Sequence, residues 1–268
     1  MASSASGRDN DEMNHANLSY LGRFSQNLTG VLFVLVVAGC AQRPAPAGIQ
    51  DPRETQNREI HEFNKAFDRT FLKPFSGGGN SLPAPLRDGV SNAARNLDAP
   101  GNVVNNLLQG RPHHAVENTF RFLVNSTIGV VGLFDPATEF GIVGKETDFG
   151  ETLHVWGAGE GNYVELPFLG PSTERDMVGI AVDAALNPWR YVLPRKELNA
   201  TTGLGLAGSV LDRSRYSETV DSILYDSADS YAQARLIYLQ NRRFKLGQTA
   251  GGAADDAFED PYEDPYGN

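Results

Sequence analysis

Phe120-Arg121-Phe122-Leu123-Val124-Asn125-Ser126-Thr127-Ile128-Gly129-Val130-Val131-Gly132-Leu133-Phe134 is the most apolar run of the chain beyond Cys40. A helix that crosses a bilayer takes roughly 20 apolar residues. This run is shorter, and Arg121, Asn125 and four small or hydroxyl residues interrupt it. It suits burial or a seat at a membrane interface, and it excludes a crossing.

Helical signals flank it on both sides. Asp51-Pro52-Arg53-Glu54 offers an N-cap, a proline at the first helical position and a carboxylate at the third. Ile60, Phe63, Phe67 and Phe71 then form an apolar stripe. Residues 76–85 read as a loop, and Leu86, Val90, Ala93, Ala94 and Leu97 repeat at helical spacing. Asp98-Ala99-Pro100-Gly101 predicts a break, and 102–109 a separate short helix ended by Gly110 and Pro112. These elements read as helical hairpins. Downstream, 148–156 predicts a short helix, and Tyr163-Val164-Glu165-Leu166 alternates like a strand, with room for one hairpin. Ser172 or Thr173 can cap a helix reaching Leu186. Its apolar residues cover most faces and predict near-complete burial, with Asp176 and Asp183 on one polar stripe and Asn187-Pro188 as the stop. Residues 204–225 and 229–246 predict two last helices, with Gly247 ending the fold.

The N-terminal segment reads differently. Residues 29–38 are apolar, Arg23 precedes them and Gly39-Cys40 closes them, which is the pattern of a secretory signal. Val37-Ala38-Gly39-Cys40 resembles the bacterial lipobox, so residues 1–39 are expected to be removed and Cys40 to carry acyl chains; the alternative is a buried thiol. Each buried methylene adds roughly 0.8 kcal/mol, so several chains anchor nearly permanently. Ala41, in place of the Asp that retains such proteins at the inner membrane, points to the outer membrane and its periplasmic face. Asp9, Asp11 and Glu12 suit a signal poorly, so Met13 is an alternative start. Residues 40–50 then form the lipidated cysteine and an Ala- and Pro-rich tether, 51–247 the helical domain, and 248–268 an acidic tail expected to be disordered. With one cysteine in the chain, no internal disulfide is available.

The formal charge is -10, from 23 basic and 33 acidic residues, with no basic stripe for nucleic acid. Gly203-Leu204-Gly205-Leu206-Ala207-Gly208 fits G-x-G-x-x-G, but no strand precedes it. Small residues for close helix packing are the better reading. His61, His113, His114 and His154 show no zinc spacing, so no metal or other cofactor is expected. No nucleophile elbow, P-loop or kinase set supports an enzyme.

Several segments, in order, resemble the MlaA/VacJ family of outer-membrane phospholipid-transport lipoproteins. They are Phe63-Asn64-Lys65-Ala66-Phe67-Asp68, Asn106-Leu107-Leu108-Gln109-Gly110, residues 121–135, Asp148-Phe149-Gly150-Glu151-Thr152-Leu153 with Trp156-Gly157-Ala158-Gly159, residues 166–176, and Ser227-Ala228-Asp229-Ser230-Tyr231 with Arg235. The resemblance implies an all-α, membrane-embedded ring of helices around a central polar-lined pore. It also implies removal of phospholipid from the outer leaflet and delivery to a soluble MlaC-like periplasmic carrier, beside trimeric porins. Phe63, Asn64, Asn125, Gly129, Gly132, Phe134 and Asp135 become candidates for lining or gating the lipid path, against packing and capping. Arg175 and Asp176 become candidates for headgroup contact, against a carboxylate at the positive end of a helix. The glycine-rich loop 76–80 and Asn92-Ala93 depart from the family pattern. A lipid-anchored envelope hydrolase and a structural porin-associated lipoprotein are the rival readings.

Overall fold

The computed structural model describes residues 48–75 and 83–248. The signal segment, Cys40, the 76–80 loop and residues 249–268 lie outside the described residues. Two compact units divide the chain. Every element below lies in the larger, Pro44–His154 with Gly159–Asn268, except for the last residue of one short helix.

Helix α1, Glu54–Phe67, continues through a π-helical turn, Asp68–Leu72, and a 3-10 turn, Lys73–Phe75. Its buried residues are Asn57, His61 and Asp68, while Phe63 and Phe71 are exposed. Of the apolar stripe, Phe63 and Phe71 thus face outward while Ile60 and Phe67 are half-buried, and the fully buried positions are polar.

Helix α2 runs unbroken over Ala84–Leu108 with Pro100 inside it. This corrects the expected break at 98–101 and the separate helix after it. A proline removes one donor from the ladder and kinks the helix, but tertiary contacts hold both halves in line. The Trp189 indole N–H donates to the Leu97 carbonyl at 2.7 Å, one residue past the acceptor that Pro100 deprives. On the far side, Asn105 Nδ2 donates to Asp183 at 2.8 Å and Asn106 Nδ2 to the Lys145 carbonyl at 3.2 Å.

Helix α3, Pro112–Thr127, packs along α2. It is followed by a tight reversal and the short α4, Pro136–Glu139. The apolar run quoted first is therefore helical up to Thr127, and Phe120, Leu123, Ile128, Val131 and Phe134 are exposed. Helix α5 is Phe149–Val155. Strands β1, Tyr163–Leu166, and β2, Gly170–Thr173, pair antiparallel with Tyr163 opposite Thr173. The chain is thus mostly helical, with one hairpin added.

Thr173 caps helix α6, Glu174–Leu186, by accepting from the Asp176 N–H at 3.2 Å. The expected burial of α6 is overturned. Met177, Val178, Ile180 and Leu186 are exposed, and the buried residues are Arg175, Asp176 and Gly179. Its one polar stripe is what docks, because Asp176 and Asp183 meet buried donors there. Helix α7 is Trp189–Val192, and α8 spans Arg195–Arg215, so it begins earlier than the expected 204. The Thr201 and Thr202 hydroxyls return to the Leu198 carbonyl within the helix. Helix α9, Ser217–Asp221, and a π-helical turn, Ser222–Asp226, lead to α10, Ser230–Lys245.

Among the described residues, buried polar and charged side chains outnumber buried apolar ones. The apolar core cluster is small: Tyr163, Tyr231 and Leu239, with Tyr238 against it. Glycine provides the closest approaches. Gly203 and Gly205 face open space, while a Cβ on Gly208 would come within 2.7 Å of the Ala94 Cβ. Close packing of α8 on α2 therefore accounts for Gly208, and a mid-helix position excludes the phosphate-loop reading. A Cβ on Gly179 would lie 2.4 Å from the Gly150 backbone nitrogen. Gly179→Ala is expected to cost about 1–3 kcal/mol by overpacking, whereas Gly203→Ala stabilises by about 0.5–1 kcal/mol through helix propensity. Thermal unfolding of the detergent-solubilised variants checks the opposite signs.

Candidate functional site

Two cavities border α2. The larger, about 800 Å3, is walled by Asp98, Gly101, Asn102 and Asn105 of α2, by residues 145–148, and by Asp183 and Arg242. These α2 positions recur at three- and four-residue steps and so share one helix face. The smaller, about 330 Å3, is walled by Asn92, Asn96, Ala99 and Asn102 of α2, by Asn118, Arg121 and Asn125 of α3, and by Asp135 and Thr138. Arg95, Asn102 and Glu146 line both.

The wall of the smaller cavity is a closed hydrogen-bond network. Arg121 Nη2 donates to both Asp135 carboxylate oxygens at 3.1 and 3.0 Å, and Asn125 Nδ2 donates to Asp135 Oδ1 at 2.8 Å. The Asn125 oxygen accepts from the Ala137 N–H at 3.0 Å. Burial opposes ionisation of Asp135, but Thr138, Asn125 and Arg121 outweigh it and hold its carboxyl below the usual range. Above this network the chain reverses at Val130, Val131 and Gly132, all with positive φ (53°, 59° and 85°). Two β-branched residues in the left-handed region are strained. Gly129 is pressed against the Asn125 and Phe134 carbonyls, and a Cβ on Gly132 would strike Asn96. Glycine is required at both places.

The wall of the larger cavity centres on Arg242. Its Nη1 and Nη2 donate to Asp148 at 2.7 Å each, and its Nε and Nη2 to Asp176 at 3.0 and 2.8 Å, with Tyr238 Oη adding 2.8 Å to Asp176. Burial alone would raise the Asp176 carboxyl, but the Arg242 guanidinium holds it below its usual value. Burial pushes the Asp183 carboxyl up although the Phe149 N–H and Asn105 donate to it and the Arg242 charge lies near.

Phe63 and Asn64 lie elsewhere, where α1 meets the hairpin. Asn64 donates to the Leu166 carbonyl at 2.9 Å and accepts from the Phe168 N–H at 2.7 Å. The exposed rings of Phe63 and Phe168 meet edge to face, 5.1 Å between centroids. Phe168 sits at φ 65°, a strained setting for an aromatic residue.

Of the sequence candidates, the structure gathers Asn125 and Asp135 at the smaller cavity, with Gly129, Gly132 and exposed Phe134 in the reversal beside them. Arg175 and Asp176 are buried and line neither cavity, and two of the Arg175 guanidinium nitrogens have no hydrogen-bond partner. Sequence reasoning missed Arg95, Asp98, Asn102 and Glu146. A signal existed in the asparagines at 92, 96, 102, 105 and 106, poor helix formers whose recurrence along a helix marks a polar interior. Among the described residues, no three His, Cys, Asp or Glu side chains are grouped for a metal, and no helix is long and apolar enough to cross a membrane.

The profile of the family described as MlaA lipoprotein matches residues 49–245. The intermembrane phospholipid transport system lipoprotein MlaA of Haemophilus influenzae is 31% identical over 229 residues, covering 82% of this chain and 89% of its own. The Escherichia coli K12 protein of the same description is 31% identical over 217 residues, covering 78% and 84%. A solved structure, described as the structural basis for maintenance of bacterial outer membrane lipid asymmetry, superposes with TM-score 0.60 at 29% identity, covering 73% of this chain and 98% of its own.

The Asp176–Arg242 pair makes a stability test. The depressed carboxyl contributes above its unfolded pKa of about 3.9, and the contribution is lost as pH falls from there through the folded value. Asp176→Asn is expected to destabilise by about 3–5 kcal/mol at neutral pH, because it leaves part of a buried guanidinium uncompensated. The gap between variant and wild type should narrow below about pH 4. Unfolding midpoints measured across that range check both.

Proposed function

The chain belongs to the MlaA lipoprotein family, and from that premise we propose that it withdraws misplaced phospholipids from the outer leaflet of the outer membrane and hands them to a soluble periplasmic carrier. In this reading Cys40 carries the acyl anchor, the helices form a ring in the periplasmic leaflet beside trimeric porins, and a polar pore passes headgroups. No bond is made or broken. Direction comes from the carrier binding lipid better than this protein does.

The observation that carries the reading is the inversion of the fold: polar cavities flank α2 while large apolar side chains such as Phe120, Leu123, Val131 and Phe134 point outward. A phosphate dragged bare through hydrocarbon costs tens of kcal/mol by Born solvation, and a water-filled polar wall removes that cost. Acyl tails can stay in the bilayer against the outer apolar face. Asn125, Asp135 and the strained 130–132 reversal stand where that face meets the smaller cavity, which supports a role for them in the lipid path.

Cells lacking the gene are expected to accumulate outer-leaflet phospholipid and to become sensitive to detergent with EDTA. An unchanged outer leaflet counts against transport. Gly101 lines the larger cavity, and a Cβ there meets nothing within 4 Å. Gly101→Trp therefore fills the passage without a backbone clash, and should cut lipid transfer to a purified carrier at least about fivefold. Full transfer by a folded Gly101→Trp variant would rule this cavity out as the route.

A further inference from the structure

The junction of the two cavities holds charges that the lipid path alone leaves unexplained. Arg95 and Glu146 line both cavities, and Asp98 lines the larger one a single helical turn along α2 from Arg95. Most other charges in these walls are matched: Arg242 by Asp148 and Asp176, Lys145 by Glu151, Arg121 by Asp135. Among the described residues, Arg95 donates only to the amide oxygen of Asn92, at 2.9 Å. No ion pair among the described residues involves Arg95, Asp98 or Glu146. Asp98 is exposed to the cavity, and desolvation by the surrounding wall together with the nearby Glu146 pushes its carboxyl up. Arg95, Asp98 and Glu146 are all exposed to the cavity, and a guanidinium and two carboxylates with no ion-pair partner among the described residues are free to meet a ligand there. A ligand carrying an anion and a cation in matching order can engage both signs of charge at once.

We propose that this junction is a headgroup subsite for zwitterionic glycerophospholipids with a primary ammonium, Arg95 holding the phosphate and Asp98 with Glu146 holding the ammonium. The proposal rests on the reading of the cavities as a lipid path. Helix neighbours three residues apart stand about 5–6 Å apart at Cβ, which suits a phosphate and an ammonium joined by two carbons. The guanidinium fork fits phosphate oxygens, and an ammonium bearing three N–H donors can serve two carboxylates at once. Quaternary ammonium groups are recognised by aromatic cages, and no aromatic residue lines either cavity. A phosphatidylglycerol headgroup brings the phosphate but no cation, and leaves the carboxylates unmatched.

The test is lipid binding by the purified full-length lipoprotein, exchanged in detergent against an equimolar mixture of phosphatidylethanolamine and phosphatidylglycerol and read by mass spectrometry. Enrichment of phosphatidylethanolamine of about tenfold is expected, the ratio that a 1.4 kcal/mol difference produces. The doubly neutralised Asp98→Asn, Glu146→Gln protein should bind the two lipids at the input ratio, and Glu146→Lys should favour phosphatidylglycerol. A second series needs no variant: phosphatidylethanolamine, its N,N-dimethyl form and phosphatidylcholine should bind the wild type progressively less well as N–H donors are lost. A wild type that binds and transfers lipid without headgroup bias, or with a bias indifferent to methylation, overturns the subsite and leaves the transport reading standing. A wild type that binds no lipid removes both.

Discussion

A chain that turns its large apolar side chains outward must hold itself together with polar ones, and every structural choice here follows from that constraint. Apolar burial is non-directional and forgiving, whereas a buried amide or carboxylate stabilises only when its partners are placed. Side chain and backbone therefore interlock over long sequence separations. Asp68 receives Arg213 at 2.8 and 2.9 Å and Tyr225 at 2.7 Å, and burial together with the Asp68 carboxylate pushes the Tyr225 hydroxyl up to about 12. His61 lies between Glu165 at 3.4 Å and Ser230 at 3.1 Å, and Asn57 both donates to the Tyr163 carbonyl and accepts from the Glu165 N–H. The contacts of His61 and Asn57 fasten α1 and α10 to the hairpin.

The same constraint explains which parts of the fold were legible in the sequence. Local signals act the same way whichever face is buried, so Thr173 as a cap, the Tyr163–Leu166 strand and the stops at Asn187-Pro188 and Gly247 all stand in the structure. Readings that assumed apolar means inside failed. The exposed Val178 and Ile180 of α6, which was expected to be largely buried, invert that rule. The unbroken α2 could not be read at Pro100 because what spans it, Trp189 and Asp183, comes from distant segments.

Legibility of the site divides in the same way. Asn125, Gly129, Gly132 and Asp135 stand in one continuous segment and were found together, whereas Arg95, Asp98 and Glu146 meet only through the path of α2 past residues 145–148. An arginine and an aspartate one turn apart on a helix ordinarily read as a solvated pair. Only the cavity makes them noteworthy.

Trp189 joins these threads. Its indole N–H is spent on a carbonyl beside Pro100, its ring lies 5.9 Å from that of Phe122, and it is one of two tryptophans in the chain. The longest helix thus carries a fluorophore beside its internal proline, whose emission colour and quenching report on whether the Trp189–Leu97 hydrogen bond is made or broken, with no label to be introduced.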